Sequence, residues 1–205
     1  MGKVILDITM SLDGFIAGPN DGPERPLGDG GERLFAWYFS GDTDFEMPSG
    51  TMTFKVSPAS AEVLQEVHTI GALVTGRRTF DIANAWGGRH PVDVPVFVVT
   101  HMVPQEWVYE GSPFTFVMDS VESAVEKAKE AAGDRDIGVG AASIAQQCIQ
   151  AGILDEIQIH LAPVLLGGGI RLFDYPGAEP IELESMRVVE TPGVTHLRFR
   201  VVKDG

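Results

Sequence analysis

The sequence predicts an α/β protein with a mainly parallel, mixed central sheet, helices on both faces and antiparallel strands at its C-terminal edge. Two observations carry this. Short aliphatic runs alternate with segments of helical periodicity through most of the chain, which selects parallel pairing; two strand-like runs then follow one another at the end, which selects an antiparallel edge. No repeat, low-complexity tract or linker divides the 205 residues, so one domain over 1–205 is expected.

Lys3 to Met10 (KVILDITM) reads as a buried strand, its apolar run interrupted by Asp7. Ser11 to Gly31 is a long loop rich in Gly and Pro, of the length that is usually functional. Glu32 to Phe39 reads as a short helix, and Ser40 to Ser57 as a second loop. Ser57-Pro58 opens a helix with Val63, Leu64, Val67 and Ile70 on one face, which Gly71 should end. A strand from Ala72 to Thr75 turns at Gly76 into a helix beginning near Arg77. Val94 to Thr100 and Phe114 to Met118 are strands. Ser120 caps a helix along Val121, Ala124, Val125 and Ala128 that Gly133 closes. Asp136 to Val139 is a strand, Ala141 to Ala151 a helix, and Asp155 to Leu161 a strand. After Gly167-Gly168-Gly169, strands near Ile181 to Val189 and Thr195 to Val202 close the chain.

The net charge of −14 argues against binding nucleic acid or anionic lipid, both of which call for a cationic surface. An anionic small molecule needs only a few local donors. A single cysteine, Cys148, permits no intrachain disulfide, and it lies on the apolar side of its helix as a buried thiol. The first residues make a poor signal peptide, and no apolar run is long enough to span a bilayer. A cytoplasmic protein is expected. The five histidines show no ligand spacing, so no metal is expected.

Two segments carry chemistry. In Leu73 to Phe80 (LVTGRRTF) a buried strand ends at glycine and a helix begins with two arginines and a threonine. Exposed N–H groups and guanidinium forks suit phosphate there, while a solvated arginine pair fits equally. In Ile137 to Ser143 (IGVGAAS) a strand runs through glycine into a helix, where small residues admit a pyrophosphate. The spacing nearly matches a dinucleotide fingerprint, but Asp155 and Glu156 open the following strand instead of ending it, so the Rossmann unit is rejected. Two such turns in one sheet suit a ligand with two separate phosphate groups, and NADPH is the natural candidate.

At these residues the chain resembles a family. Met10 to Gly18 (MSLDGFIAG) looks like the opening of the reductase domain of riboflavin biosynthesis and of dihydrofolate-reductase-like bacterial proteins. Gly76 to Phe80 is similar to the segment that binds the 2′-phosphate side of NADPH in dihydrofolate reductases. Gly138 through Asp155-Glu156 to Ala162–Gly169 (APVLLGGG) resembles the C-terminal signature of the riboflavin-type reductases.

The resemblance implies a dihydrofolate reductase-like three-layer fold and an NADPH-dependent reductase acting on a heterocyclic small molecule. The activity implied is most like 5-amino-6-(5-phosphoribosylamino)uracil reduction; dihydrofolate or pterin reduction and non-catalytic NADPH binding are the alternatives. Thr9, Ile16 and Ala17 would line the nicotinamide half. Gly76, Arg77, Arg78 and Thr79 would hold the adenosine phosphates. Thr100, with His101, would flank the adenine ribose. Gly140, Ala141, Ala142, Ser143 and Ile144 would cradle the pyrophosphate, and the loop from Ser11 would close over the nicotinamide. Asp13 is the candidate catalytic group, although an Asp-Gly turn explains it as well. Glu32 reads better as a helix-dipole carboxylate than as the pterin-binding acid. Arg33, Arg89 and Arg171 are candidates for a substrate phosphate. A homodimer is expected.

Overall fold

The computed structural model describes residues 2–174 and 179–203. The domain expected over 1–205 includes residues 1, 175–178 and 204–205, which lie outside the described residues. Strand β1 (Val4–Ser11) leads into a short strand β2 (Phe15–Ala17), a 3₁₀ segment (Gly31–Phe39) and the hairpin β3 (Thr43–Glu46) and β4 (Thr53–Val56). Helix α1 (Pro58–Leu64), strand β5 (Ile70–Gly76), helix α2 (Arg77–Ile82) and strands β6 (Val96–Val99) and β7 (Phe114–Val117) follow. Helix α3 (Val121–Ala132), strand β8 (Asp136–Val139), helix α4 (Ala142–Gln150) and strand β9 (Glu156–Ala162) come next. Strands β10 (Ile170–Arg171), β11 (Leu183–Thr191) and β12 (Val194–Val201) end the chain.

Eight strands form one sheet in the order β11-β12-β9-β1-β8-β5-β6-β7. Pairing is parallel from β9 through β7 and antiparallel at β9–β12 and β12–β11. The central strand β1 is covered on both faces. Val4 and Leu6 enter the main core with α3 and α4, whereas the opposite face meets Trp37 of the 3₁₀ segment. Ser57 caps α1 by accepting the Ser60 N–H at 3.1 Å, and Ser120 caps α3 by accepting the Ser123 N–H at 3.2 Å, as expected of serine at those positions.

Three readings are corrected. The segment from Ser40 to Ser57 contains the β3–β4 hairpin, whose inward Phe45 and Val56 form a second small core with Trp37. Gly71 does not end a helix. The helix stops at Leu64, a 3₁₀ turn follows, and Gly71 lies inside β5, where a Cβ would come within 2.8 Å of the Ala132 Cβ. The loop after Ser11 is interrupted by β2, which pairs with β10.

Candidate active site

A cleft of about 1000 Å³ opens at the carboxyl ends of the parallel strands, the expected place for a ligand in an open α/β sheet. Its two rims are the turns singled out from the sequence. On one side β5 ends at Gly76 and α2 begins with Arg77, Arg78 and Thr79; on the other, β8 runs into Ala141, Ala142, Ser143 and Ile144. No side chain caps the first turn of α4, so its leading N–H groups are available to an anion. Ala141 sits at φ 82°, a strained conformation for alanine that lifts the chain off the sheet and into the helix.

The two arginines are held differently. Arg77 donates from Nε to Asp81 at 2.7 Å and from Nη1 to the Met102 carbonyl at 2.6 Å. That carbonyl belongs to a turn fixed by Thr100, whose hydroxyl donates to Met102 O at 2.8 Å and accepts from Met102 N. Arg78 reaches across the cleft mouth to Asp21 at 2.8 Å, tying α2 to the first loop. A phosphate entering here would find Arg77 already aimed and would compete with Asp21 for Arg78.

Ile16 and Ala17 also line the cleft, on the β2–β10 ribbon that flanks its mouth together with Gly169, Ile170 and Arg171. Gly169 has φ +124°, and a Cβ there would stand 2.0 Å from the Ala17 carbonyl, so only glycine lets the ribbon form this closely. Ile16, Ala17, Gly76, Arg77, Arg78, Thr79, Thr100, Ala141, Ala142, Ser143 and Ile144 are thus brought together.

Three expected residues lie elsewhere. Thr9 is buried on the opposite face of β1, in register with His160, and its neighbour Ile8 lines the cleft instead. Gly140 lies behind the lining, its N–H donating to the Val74 carbonyl at 2.9 Å. Asp13 is not in the cleft. Its carboxylate accepts from the Ser11 hydroxyl at 2.6 Å, from Leu166 N at 3.1 Å and from Gly167 N at 2.7 Å. The Ser11 bond and then these N–H groups outweigh the desolvation cost and hold its pKa at about 2. The geometry makes Asp13 a clamp between two loops. The three candidate phosphate arginines do not converge: Arg89 forks onto Asp93 at 2.6 Å, Arg33 is exposed, and Arg171 lies 4.6 Å above the Phe15 ring. Cys148 is buried, and burial pushes its thiol up to about 12.

Sequence reasoning missed Asp119 and Ser120 at the start of α3, Gln146 on α4, and the ribbon residues Gly169 and Ile170, all of which line the cleft. The Ser120 cap and the glycine triplet were visible, but only as signals of local structure.

The model of one family, described as the RibD C-terminal domain, matches residues 2–197. The chain belongs to the RibD C-terminal domain family. Among solved structures, a protein from Shewanella sp. PV-4 ascribed to riboflavin biosynthesis is 21% identical, with a TM-score of 0.70 over 99% of this chain and 100% of that one. A diaminohydroxyphosphoribosylaminopyrimidine deaminase/5-amino-6-(5-phosphoribosylamino)uracil reductase from Thermotoga maritima is 14% identical, with a TM-score of 0.61 over 98% of this chain and 57% of that one. Dihydrofolate reductase from Enterococcus faecalis, complexed with NADP(H), is 13% identical, with a TM-score of 0.56 over 98% of each chain. The fold of this RibD C-terminal domain protein is therefore dihydrofolate reductase-like, with the mainly parallel sheet and antiparallel edge expected from the sequence.

One residue tests whether a dinucleotide suits the cleft. β8 stops at Val139, but β1 runs on to Ser11 and β5 to Gly76, which leaves a slot between them. The Thr75 hydroxyl, buried beside Gly140 near that slot, has no hydrogen-bond partner among the described residues. Buried hydroxyls are normally paired. An orphaned donor near the slot, an uncapped helix start and two arginines across the cleft fit a phosphate-bearing cofactor with a planar polar ring.

Proposed function

We propose that this protein is an NADPH-dependent reductase that transfers a hydride to a heterocyclic substrate, most like 5-amino-6-(5-phosphoribosylamino)uracil reduction in riboflavin biosynthesis. The observation that carries the reading is the pair of strand–turn–helix rims, one with two arginines and one with an uncapped helix start, lining one cleft. Family membership and the fold shared with an NADP(H)-complexed dihydrofolate reductase and a bifunctional riboflavin-type reductase support it. Arg77, Arg78 and Thr79 would hold the 2′-phosphate, and the N–H groups from Ala142 to Ile144 the pyrophosphate. Ile8, Ile16 and Ala17 would pack against the nicotinamide, with the β2–β10 ribbon excluding water. When bound, the cofactor supplies the hydride; the chain supplies orientation and a dry site.

Calorimetric titration tests this. NADPH is expected to bind more tightly than NADH. Arg77→Ala and Arg78→Ala should each weaken NADPH by about 1.5–3 kcal/mol if their guanidinium reaches the phosphate, roughly tenfold or more in Kd. NADH binding should change much less. If neither nucleotide binds at millimolar concentration, the cofactor assignment fails.

We propose further that the protein is cytoplasmic; no helix among the described residues is long and apolar enough to cross a membrane. A homodimer is proposed along β11, one of the two edge strands, where Leu183, Met186 and Val188 are exposed. Light scattering after gel filtration should give twice the chain mass, and Val188→Lys should return it towards the monomer.

A further inference from the structure

Behind the cleft, on the opposite face of β1, lies a polar file that the reading above does not use. Asp7 sits in the middle of the central strand, paired with Gln158 in register. One of its oxygens lies 2.8 Å from His160 Nε2, and the other accepts from Gln158 Nε2 at 3.1 Å. His160 Nδ1 is 2.7 Å from His196 Nδ1, and His196 Nε2 is 3.0 Å from the Ser60 hydroxyl. His160, His196, Ser60 and Gln158 are all 2% exposed or less, whereas the Asp7 side chain keeps 39% of its surface open. Trp37 walls the file, its ring 5.2 Å from each imidazole.

The file runs unbroken from Ser60 through the two imidazoles to the Asp7 carboxylate. Burial, and then the neighbouring His160, depress the pKa of His196 to about 4, so it is neutral and must donate through one ring nitrogen and accept through the other. An anionic carboxylate only accepts, so His160 Nε2 and Gln158 Nε2 both donate to Asp7, the one open member of the file. An apolar cluster would stabilise the fold at least as well as four buried polar groups, so their cost calls for a task at Asp7.

The slot supplies that task. Pairing of β1 with β8 ends at Leu6–Val139, so Asp7 is the first β1 residue beyond it. Ile8, its neighbour, faces the cleft, and successive strand residues point to opposite faces. A planar ring in the slot would be bounded by Ile8 on one side and reached from the Asp7 side on the other. We infer that Asp7 is the substrate-side anion of this reductase, binding a nitrogen heterocycle through two adjacent N–H donors, with His160, His196 and Ser60 as the residues that position it. This rests on the reductase reading above. A carboxylate presents two oxygens in the fork that such an edge matches.

The charges around Asp7 come from every packed element. Tyr38 faces it from the 3₁₀ segment, Gln158 and His160 from β9, and His196 and Arg198 from β12, with Arg187 of β11 and Glu66 beyond. Enclosure opposes its charge, but His160, Gln158 and Arg198 together hold its carboxyl below the ordinary value, so it is anionic at neutral pH.

The test uses 2,4-diaminopyrimidine, whose 2-amino group and protonated ring N1 present the two adjacent N–H donors, titrated into the whole protein with and without saturating NADPH. Wild type should bind it, and Asp7→Asn should weaken it tenfold or more with NADPH affinity unchanged; Asp7→Ser serves if the first variant folds poorly. His160→Asn should move the acid limb of probe binding to higher pH, which a merely structural histidine would not do. Equal probe binding by wild type and Asp7→Asn, no binding by wild type at millimolar probe, or an equal loss of NADPH affinity in Asp7→Asn each overturns the inference. Asp7-dependent probe binding by a protein that ignores NADPH would sustain the anion site and sink the cofactor reading instead.

Discussion

Truncating Phe80 to alanine should destabilise the protein by about 3–5 kcal/mol and weaken nucleotide binding with it. Phe80 is 1% exposed, its ring lying 5.0–6.1 Å from those of Trp86, Trp107, Phe114 and Phe116. It follows Thr79 on α2, so this cluster is the footing on which Arg77 and Arg78 stand. The cavity left by the ring lets a six-residue helix settle, and guanidinium placement is lost with it. Thermal unfolding should fall by roughly 2–4 °C for each kcal/mol lost. Phe80→Leu, which keeps most of the volume, should cost far less in both measurements. A variant that loses stability but keeps wild-type NADPH affinity would show that α2 does not carry the phosphate.

Arg198→Ala should cost about 3–5 kcal/mol at neutral pH, towards the lower figure because one partner remains. Glu156 has a side chain 3% exposed and is held by Arg198 at 2.5 Å and by Lys3 at 2.6 Å. Arg198 also meets Glu66 at 2.6 Å. Burial opposes the Glu156 charge, but bonds from Lys3 and Arg198 hold its pKa below the ordinary carboxylate range. A depressed carboxylate contributes stability that is present above the unfolded pKa and lost as pH falls through the folded one. The wild-type advantage over Arg198→Ala should therefore be full at pH 7 and shrink below about pH 4.5. Urea unfolding across that range measures it. Pairing Arg198→Met with Glu156→Gln should recover much of the loss, since no buried charge is then abandoned.

The strands, the serine caps and both anion rims were readable because each rests on local signals: β-branched runs, a hydroxyl before a helix, a glycine at a strand end. What failed depended on facing. β1 is covered on both sides, so its sequence does not say which parity meets the ligand, and Thr9 was chosen where Ile8 lines the cleft. Asp13 has the short-range pattern of an Asp-Gly turn, but its role comes from N–H groups of residues 166 and 167. Gly71 looked like a helix stop because its real constraint, the Ala132 side chain, lies on another element. Asp7 was noticed only as a break in an apolar run. Its partners arrive through the β1–β9 and β9–β12 registers, which no local window contains.

The position of β1 also dictates when this protein can fold. Its partners run from Ile137 to Val139 on one side and from Glu156 to Ala162 on the other, so the first strand made is the centre of a sheet whose flanks are made late. On the ribosome VILDITMS must emerge and wait, its backbone unpaired, until more than half of the chain has followed. Non-local closure of this kind slows folding and prolongs the exposure of an aggregation-prone edge. A nascent chain halted before Gly138 would hold β5, β6 and β7 but lack the strand that joins them to β1.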